Sequence, residues 1–258
     1  MIHIVREKTR HIYSQYLDAL YRDRYAYYVQ ERGWTELARG DDQEIDEFDD
    51  ERAFYFLAFA DDRRIMTSSR LRPTDDKSLL QSKFSHLVMP GTEMRSGANI
   101  WEWTRFFVAP EWRGPKDRVP RDELKVAVFE AAIRANVEYI NIVCDTFFLP
   151  GLRGAGWTFR HLGPPAAYPG GEAMAIEVRT RPDDLDAYRE RLAMHYPCLF
   201  DIGDLCLPPK AALDPIDLEN FIQAIGRCES ADARAVLQAS ASLNLSNTQK
   251  DLKSEHVH

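Results

Sequence analysis

Residues able to do chemistry concentrate in three stretches of this chain. The first holds Arg24, Tyr28 and Trp34, followed by Asp46 and Asp49; the second is SRLRPT, residues 69–74; the third is WEWTRFFV, residues 101–108. The third makes the strongest physical demand. A strand so apolar belongs inside a sheet, where Glu102 and Arg105 are partly buried, and buried charges are costly unless paired and hydrogen-bonded. Arg70, Asp46 and Asp49 are the available partners. On residue types alone, such a network at one end of a sheet serves structure as readily as function. The aromatic-rich stretch YRDRYAYYVQERGW likewise reads either as an amphipathic helix with an aromatic core face or as a wall for a cationic ligand. Residues 102 and 105 of a regular strand point to opposite faces. For both to line one pocket, a bulge or sharp bend is expected between Glu102 and Phe107. The alternative is that Arg105 faces the pocket and Glu102 supports it from behind through Arg70.

The elements that must position these groups follow from periodicity. From about Thr9 to Gly33, Ile12, Tyr16, Leu20, Arg24 and Tyr28 recur at helical spacing. The acidic run 39–52 has the composition of a surface loop. Residues 54–60 and 64–73 form two strands joined by Asp61, Asp62 and Arg63. A short helix is expected over 79–87, a strand over 100–109 ended by Pro110, and a helix from Pro120 to Ala135. Strands at 139–143 and 173–178 flank a short helix or turn at 147–153. Hairpins early and a βαβ unit later predict an α/β (α+β) fold, a mixed sheet with helices on its faces. Residues 183–195 and 218–237 read as further helices. The division expected is a domain over 1–182, a helical C-terminal extension over 183–245 and a disordered tail over 246–258.

Composition narrows the class. The chain has 258 residues, 45% of them hydrophobic, enough to bury a core. No run approaches a membrane span and the N-terminus has no secretory pattern, so a cytoplasmic protein is expected. The net charge of −8 argues against general nucleic-acid binding. None of the four cysteines forms a CxxC pair or a zinc spacing, and no metal site is expected. Cys144, within YINIVCD, reads as a small buried hydrophobe.

Taken in order and spacing, the motifs resemble those of the LuxI-type autoinducer synthases: Arg24, Tyr28 and Trp34; the acidic motif Asp46-Glu47-Phe48-Asp49; Arg70-Leu71-Arg72-Pro73-Thr74; Phe84; and Trp101 to Arg105. The similarity runs from about residue 1 to 180. It departs at Tyr28, where the family usually has Phe, and in the long tail beyond about residue 200. The resemblance implies a GNAT-like three-layer sandwich, a twisted mixed sheet whose strands splay around a pantetheine thioester. It implies an enzyme that transfers an acyl group from acyl-ACP or acyl-CoA to the amine of S-adenosylmethionine, closes the lactone and releases methylthioadenosine. Quorum-sensing signal production would follow, with both small molecules as substrates and no metal or redox cofactor.

That chemistry assigns roles. A sulfonium favours aromatic faces and carboxylates, and its carboxylate partner needs a guanidinium. Arg24, Tyr28, Trp34, Asp46, Asp49, Arg70, Phe84, Arg105 and Phe106 are the expected S-adenosylmethionine contacts. Glu102, with Arg70, Asp46 and Arg105, forms the expected catalytic set, Glu102 as base for the amine. A backbone N–H near Phe106 is the expected oxyanion donor. Trp103, Asn141, Val143, Phe147, Phe148, Leu149 and Leu152 are candidates for the acyl pocket, or plain core. Arg113, Lys116, Arg118, Arg121 and Lys125 are candidates for docking the donor at a helix N-terminus, or an ordinary exposed loop. Details such as ERGW and EWTRFFV resemble a branch that uses CoA-linked branched or aromatic acids. Two other readings stay open at this point: an N-acyltransferase of GNAT type acting on another amine, and a non-catalytic, degenerate synthase that binds a partner.

Overall fold

Alternating apolar residues build the sheet that carries the second and third motif stretches, while the first lies on the helix and loop packed beside it. The computed structural model describes residues 1–114, 118–204 and 214–226. Its strands are β1 (Ile2–Val5), β2 (Phe54–Phe59), β3 (Ile65–Pro73), β4 (Ile100–Val108), β5 (Tyr139–Asp145), β6 (Phe159–His161), β7 (Ala166–Tyr168), β8 (Gly171–Arg179) and β9 (Leu199–Phe200). Its helices are α1 (Ser14–Arg24), α2 (Leu79–Lys83), α3 (Arg118–Arg134), α4 (Leu149–Gly154), α5 (Pro182–Leu192) and α6 (Pro215–Gly226). The strands form one mixed sheet in the order β6-β8-β5-β4-β3-β2-β1-β9, with β7 beside β8. One face packs on α3 and α5 through Leu71, Trp101, Trp103, Ile140, Ile142, Leu124, Val128 and Tyr188. The other packs on α1 through Leu17, Leu20, Tyr55 and Leu57. This is the three-layer arrangement expected. No helix among the described residues is long and apolar enough to cross a membrane.

Three features differ from the sequence reading. The helix expected from Thr9 to Gly33 breaks in two: α1 starts at Ser14, and Tyr25–Glu31 is π-helical. The wider turn gains one residue per ring, as in the bond from Arg32 N–H to Tyr27 carbonyl at 3.0 Å. Propensity cannot reveal it, because the same residues suit either helix. The boundary at 182 is also corrected. Leu185 and Tyr188 of α5, with Met194, Cys198 and Leu199, belong to the main core, and β9 pairs in parallel with β1. Residues 183–200 thus complete the sandwich rather than append to it. Strand β9 is two residues long, too short for a periodic signal. The extension begins, among described residues, with α6, where Glu219 accepts from His3 at 2.6 Å and Asp214 from Tyr16 at 2.5 Å. The tail over 246–258 lies outside the described residues.

Strands β4 and β5 pair in parallel from Ile100↔Tyr139 to Trp103↔Ile142 and no further. Both continue: β4 to Val108 and β5 to Asp145. Beyond Trp103 the sheet is therefore open between them. The cause is local. The register of β3 with β4 slips between Ser68 and Arg70, so Arg105 and Phe106 together face Ser69. Arg105 has φ +53°, a left-handed conformation that costs a non-glycine residue about 1–2 kcal/mol. This is the bulge expected between Glu102 and Phe107, and it bends β4 away from β5.

Candidate active site

The bulge delivers Arg105 into a network of three arginines and three carboxylates. Arg24 donates to Glu44 at 2.7 Å and, as a fork, to Asp49 at 2.7 and 2.9 Å. Arg70 forks onto Asp46 at 2.5 and 3.0 Å, reaches Asp49 at 2.9 Å and donates to Thr104 at 3.1 Å. Arg105 donates through Nε and Nη2 to Glu44 at 3.0 and 2.9 Å and to Asp46 at 2.7 Å. Formal charges cancel, three against three, which is what makes the burial tolerable. The side chains of Arg24 and Arg70 are each 1% exposed and that of Arg105 is 10% exposed. Arg105 is the most exposed of the three cations, and its Nε and Nη2 make all its bonds to the carboxylates.

Electrostatics fix the protonation of the acids. Burial alone would raise Asp49, but Arg24 and Arg70 outweigh it and hold its carboxyl well below the usual range. Burial acts likewise on Asp46, and Arg70 and Arg105 bring it below its ordinary value. These acids stay ionised and are poor proton acceptors. Glu44, absent from the expected set, bridges Arg24 and Arg105; as one more acid in a charged loop, it carried no distinguishing signal.

The aromatic groups converge beside the network. Tyr28 stacks on Trp34 with centroids 5.3 Å apart, and the Arg105 guanidinium lies 5.4 Å from the Tyr28 ring. The Tyr28 hydroxyl donates to the Phe106 carbonyl at 3.0 Å. This supplies the partner that the change from Phe requires. The Phe106 ring meets Trp103 and Phe148 at 6.3 and 6.0 Å.

Glu102 is the main correction. It does not join the network. Its carboxylate accepts from Ser78 Oγ at 2.6 Å and from the Leu79 and Leu80 backbone N–H groups at 2.7 and 2.8 Å. Three donors at the start of α2 engage both its oxygens, so it anchors that segment. Nor does it support Arg105 through Arg70: the register places Glu102 opposite Arg72 and Thr104 opposite Arg70. Phe84, at the C-terminal end of α2, packs against the small cluster of Leu80, Leu87, Leu162 and Ala175. Glu102 thus holds the segment that carries Phe84.

The acyl-pocket candidates divide by strand alternation. Trp103, Leu149 and Leu152 pack in the core on the α3 side. Val143 lies in the small cluster on the other face, and Asn141, paired in register with Glu102 and Glu177, shares that face. Phe147 is 64% exposed, its ring 4.3 Å from that of Phe148. A gap through the sheet has a rim on both faces, so Trp103, Phe106, Val143 and Phe148 still border it. Among the docking candidates, Arg113 forks onto Glu31, Lys125 pairs with Asp122 at 3.0 Å and Arg121 donates to the Gly114 carbonyl at 3.2 Å. Local carboxylates thus neutralise part of that basic run. Arg118 is exposed at the start of α3, and Lys116 lies outside the described residues.

Burial pushes the Cys144 thiol up to about 12, consistent with an inert packed cysteine. Among the described residues no group of His, Cys, Asp or Glu is arranged to hold a metal ion. A cavity of about 510 Å³ lies apart from the network, lined by Tyr16, Asp23, Tyr27, Glu31, Phe107 and Arg113 among others.

A family model described as autoinducer synthase matches residues 8–189. The isovaleryl-homoserine lactone synthase of Bradyrhizobium diazoefficiens is 34% identical over 194 residues, 75% of this chain and 86% of that protein. An acyl-homoserine-lactone synthase of Pseudomonas chlororaphis is 31% identical over 161 residues, 61% of this chain and 76% of that one. Among solved structures, the CoA-dependent acyl-homoserine lactone synthase BjaI, with S-adenosylmethionine and isopentyl-CoA, has a TM-score of 0.73 at 31% identity over 85% of this chain and 98% of its own. MesI, also a CoA-dependent acyl-homoserine lactone synthase, has a TM-score of 0.69 at 34% identity over 77% and 98%. The chain belongs to the autoinducer synthase family and is an acyltransferase of the acyl-homoserine-lactone synthase type.

Proposed function

We propose that this chain acylates S-adenosylmethionine from a CoA-linked donor with a short branched chain, within the gap between β4 and β5. The observation that carries the placement is the charge-balanced network ending on Arg105 beside the Tyr28–Trp34 stack, at the mouth of that gap. Likeness to the isovaleryl and CoA-dependent relatives supports the donor class. In this reading Arg105 receives the substrate carboxylate and Trp34 with Tyr28 receives the sulfonium. Backbone N–H groups on the free edge of β4 beyond Trp103 face the thioester oxygen. The amine nitrogen attacks the thioester carbon, the C–S bond breaks, and the thiolate of CoA leaves and takes up the proton the amine loses. The carboxylate oxygen then attacks the γ-carbon. The bond from that carbon to the sulfonium breaks with its electron pair going to sulfur, and neutral methylthioadenosine departs.

The purified chain, given S-adenosylmethionine and isovaleryl-CoA, should yield isovaleryl-homoserine lactone and methylthioadenosine in equal amounts by mass spectrometry. Lactone formed only from acylated carrier protein would overturn the donor; methylthioadenosine without lactone would overturn the acyl transfer.

In this reading neither Glu102, held by three donors, nor Asp46 and Asp49, paired with arginines, takes the proton. The sulfonium lowers the pKa of the substrate ammonium toward that of a chain N-terminus, about 7.7–8.0, so the amine reaches its neutral form unaided near neutrality. The value of kcat/KM for S-adenosylmethionine should therefore rise with pH to a plateau, with a midpoint at about 7–8. A midpoint in the carboxylate range, at about 4–5, would mean that a side-chain acid takes the proton.

A further inference from the structure

Arg32 stands outside the arginine network and directly beside the aromatic stack. It caps the π-helical segment, and its guanidinium lies 4.8 Å from the centroid of Trp34. Its Nη2 donates to Asp145 Oδ2 at 2.9 Å and also to the Tyr168 hydroxyl, which in turn donates to Asp145 Oδ1. The Tyr168 ring meets Trp34 edge-on at 6.3 Å. Burial, then the bond to Asp145, pushes the Tyr168 phenol up to about 12, so Tyr168 stays a donor at neutral pH.

The placement of these three residues gives the contacts a meaning. Arg32 and Trp34 precede β2, while Asp145 ends β5 and Tyr168 ends β7. The contacts therefore tie the N-terminal half of the sandwich to the far side of the β4–β5 gap, across its open end. The Arg32 and Asp145 side chains are only 16% and 11% exposed, so the tie is partly shielded from water and salt. Trp34 meets Tyr28, Arg32 and Tyr168 at once, and of these only Arg32 is charged. A ring quadrupole attracts one cation; a second brought to the same ring meets like-charge repulsion at a few ångströms.

We propose that Arg32 is a resident cation on Trp34 that the sulfonium of S-adenosylmethionine must displace, so that the Arg32–Asp145–Tyr168 latch weakens binding and keeps the cleft mouth closed until the substrate arrives. This rests on the placement of S-adenosylmethionine argued above. Arg32 acts through Trp34 and Asp145 and is a positioning residue, not a catalytic one.

Calorimetric titration of the full chain with S-adenosylmethionine alone tests it, using R32M, R32K and W34L. R32M removes the cation and keeps an aliphatic stem, so it should bind about 3–10-fold more tightly than the native chain, the size of one partly buried cation–π contact. KM for S-adenosylmethionine should fall with it while kcat does not rise. R32K keeps a charge and should bind more weakly than R32M. Unchanged or weaker binding by R32M, with W34L also weakened, would overturn the displacement and leave the site intact. Native affinity in W34L would instead overturn the placement of the sulfonium itself.

Discussion

Asp49→Asn should destabilise the fold by about 3–5 kcal/mol, the usual cost of removing one partner from a buried ion pair. The Asp49 side chain is 0% exposed. It accepts two bonds from Arg24, one from the Tyr55 hydroxyl at 3.0 Å and one from the Asp46 backbone N–H at 2.9 Å, and it pairs with Arg70 at 2.9 Å. An amide removes the charge that both arginines need and places an NH₂ where only acceptors fit. Urea denaturation at pH 7 measures the effect; a change under about 1 kcal/mol would show that the network is not the structural keystone its burial implies. Asp46→Asn should cost less, because its side chain is 18% exposed and water replaces part of the lost contact. The pH dependence has a definite sign. The folded-state pKa of Asp49 is depressed, so its stabilisation is present above the unfolded value of about 3.9 and is lost as pH falls toward the folded value. Native protein should hold its Tm from neutrality to about pH 5 as far as this network is concerned and lose it progressively below about pH 4, whereas Asp49→Asn, already without that charge, should show a shallower acid limb.

How far the sequence exposes this arrangement depends on what each residue signals. Strands such as WEWTRFFV are legible because apolar alternation and β-branched or aromatic residues survive any context. The bulge is legible because strand period 2 conflicts with two charged residues three apart, and Arg105 at φ +53° resolves that conflict. Membership of the network is only partly legible. Arg24, Asp46, Asp49, Arg70 and Arg105 stand in motifs, but Glu44 is one acid among many in a solvated-looking loop, and only three-dimensional convergence distinguishes it. The π-helical turn at Tyr25–Glu31 and the pairing of β9 with β1 leave no periodic trace. The latch of Arg32 with Asp145 and Tyr168 joins residues more than a hundred positions apart through no shared motif.

Glu102 stands in its motif but apart from the arginine network in which the sequence reading placed it, and it yields the sharpest test. Glu102→Ala should lose activity together with stability, by about 3–5 kcal/mol, because the Ser78 hydroxyl and the Leu79 and Leu80 N–H groups are left without an acceptor at a buried helix start. Glu102→Gln separates the two possible roles. As an anchor, the side chain needs two acceptor oxygens: Oε1 serves Ser78 and Leu80, and Oε2 serves Leu79. Glutamine keeps one oxygen and turns an N–H donor toward a donor, so the anchor should fail in part, with about 1–3 kcal/mol lost and the loop carrying Phe84 loosened. Its activity loss should then appear mainly as a raised KM for substrates, and the pH midpoint of the remaining activity should be unchanged. As a base, by contrast, glutamine would leave stability within about 0.5 kcal/mol of native, cut kcat by about 10²–10⁴-fold and remove the rising limb of the pH profile. That second pattern would return Glu102 to the chemistry; the first assigns it to holding the wall of the site in place.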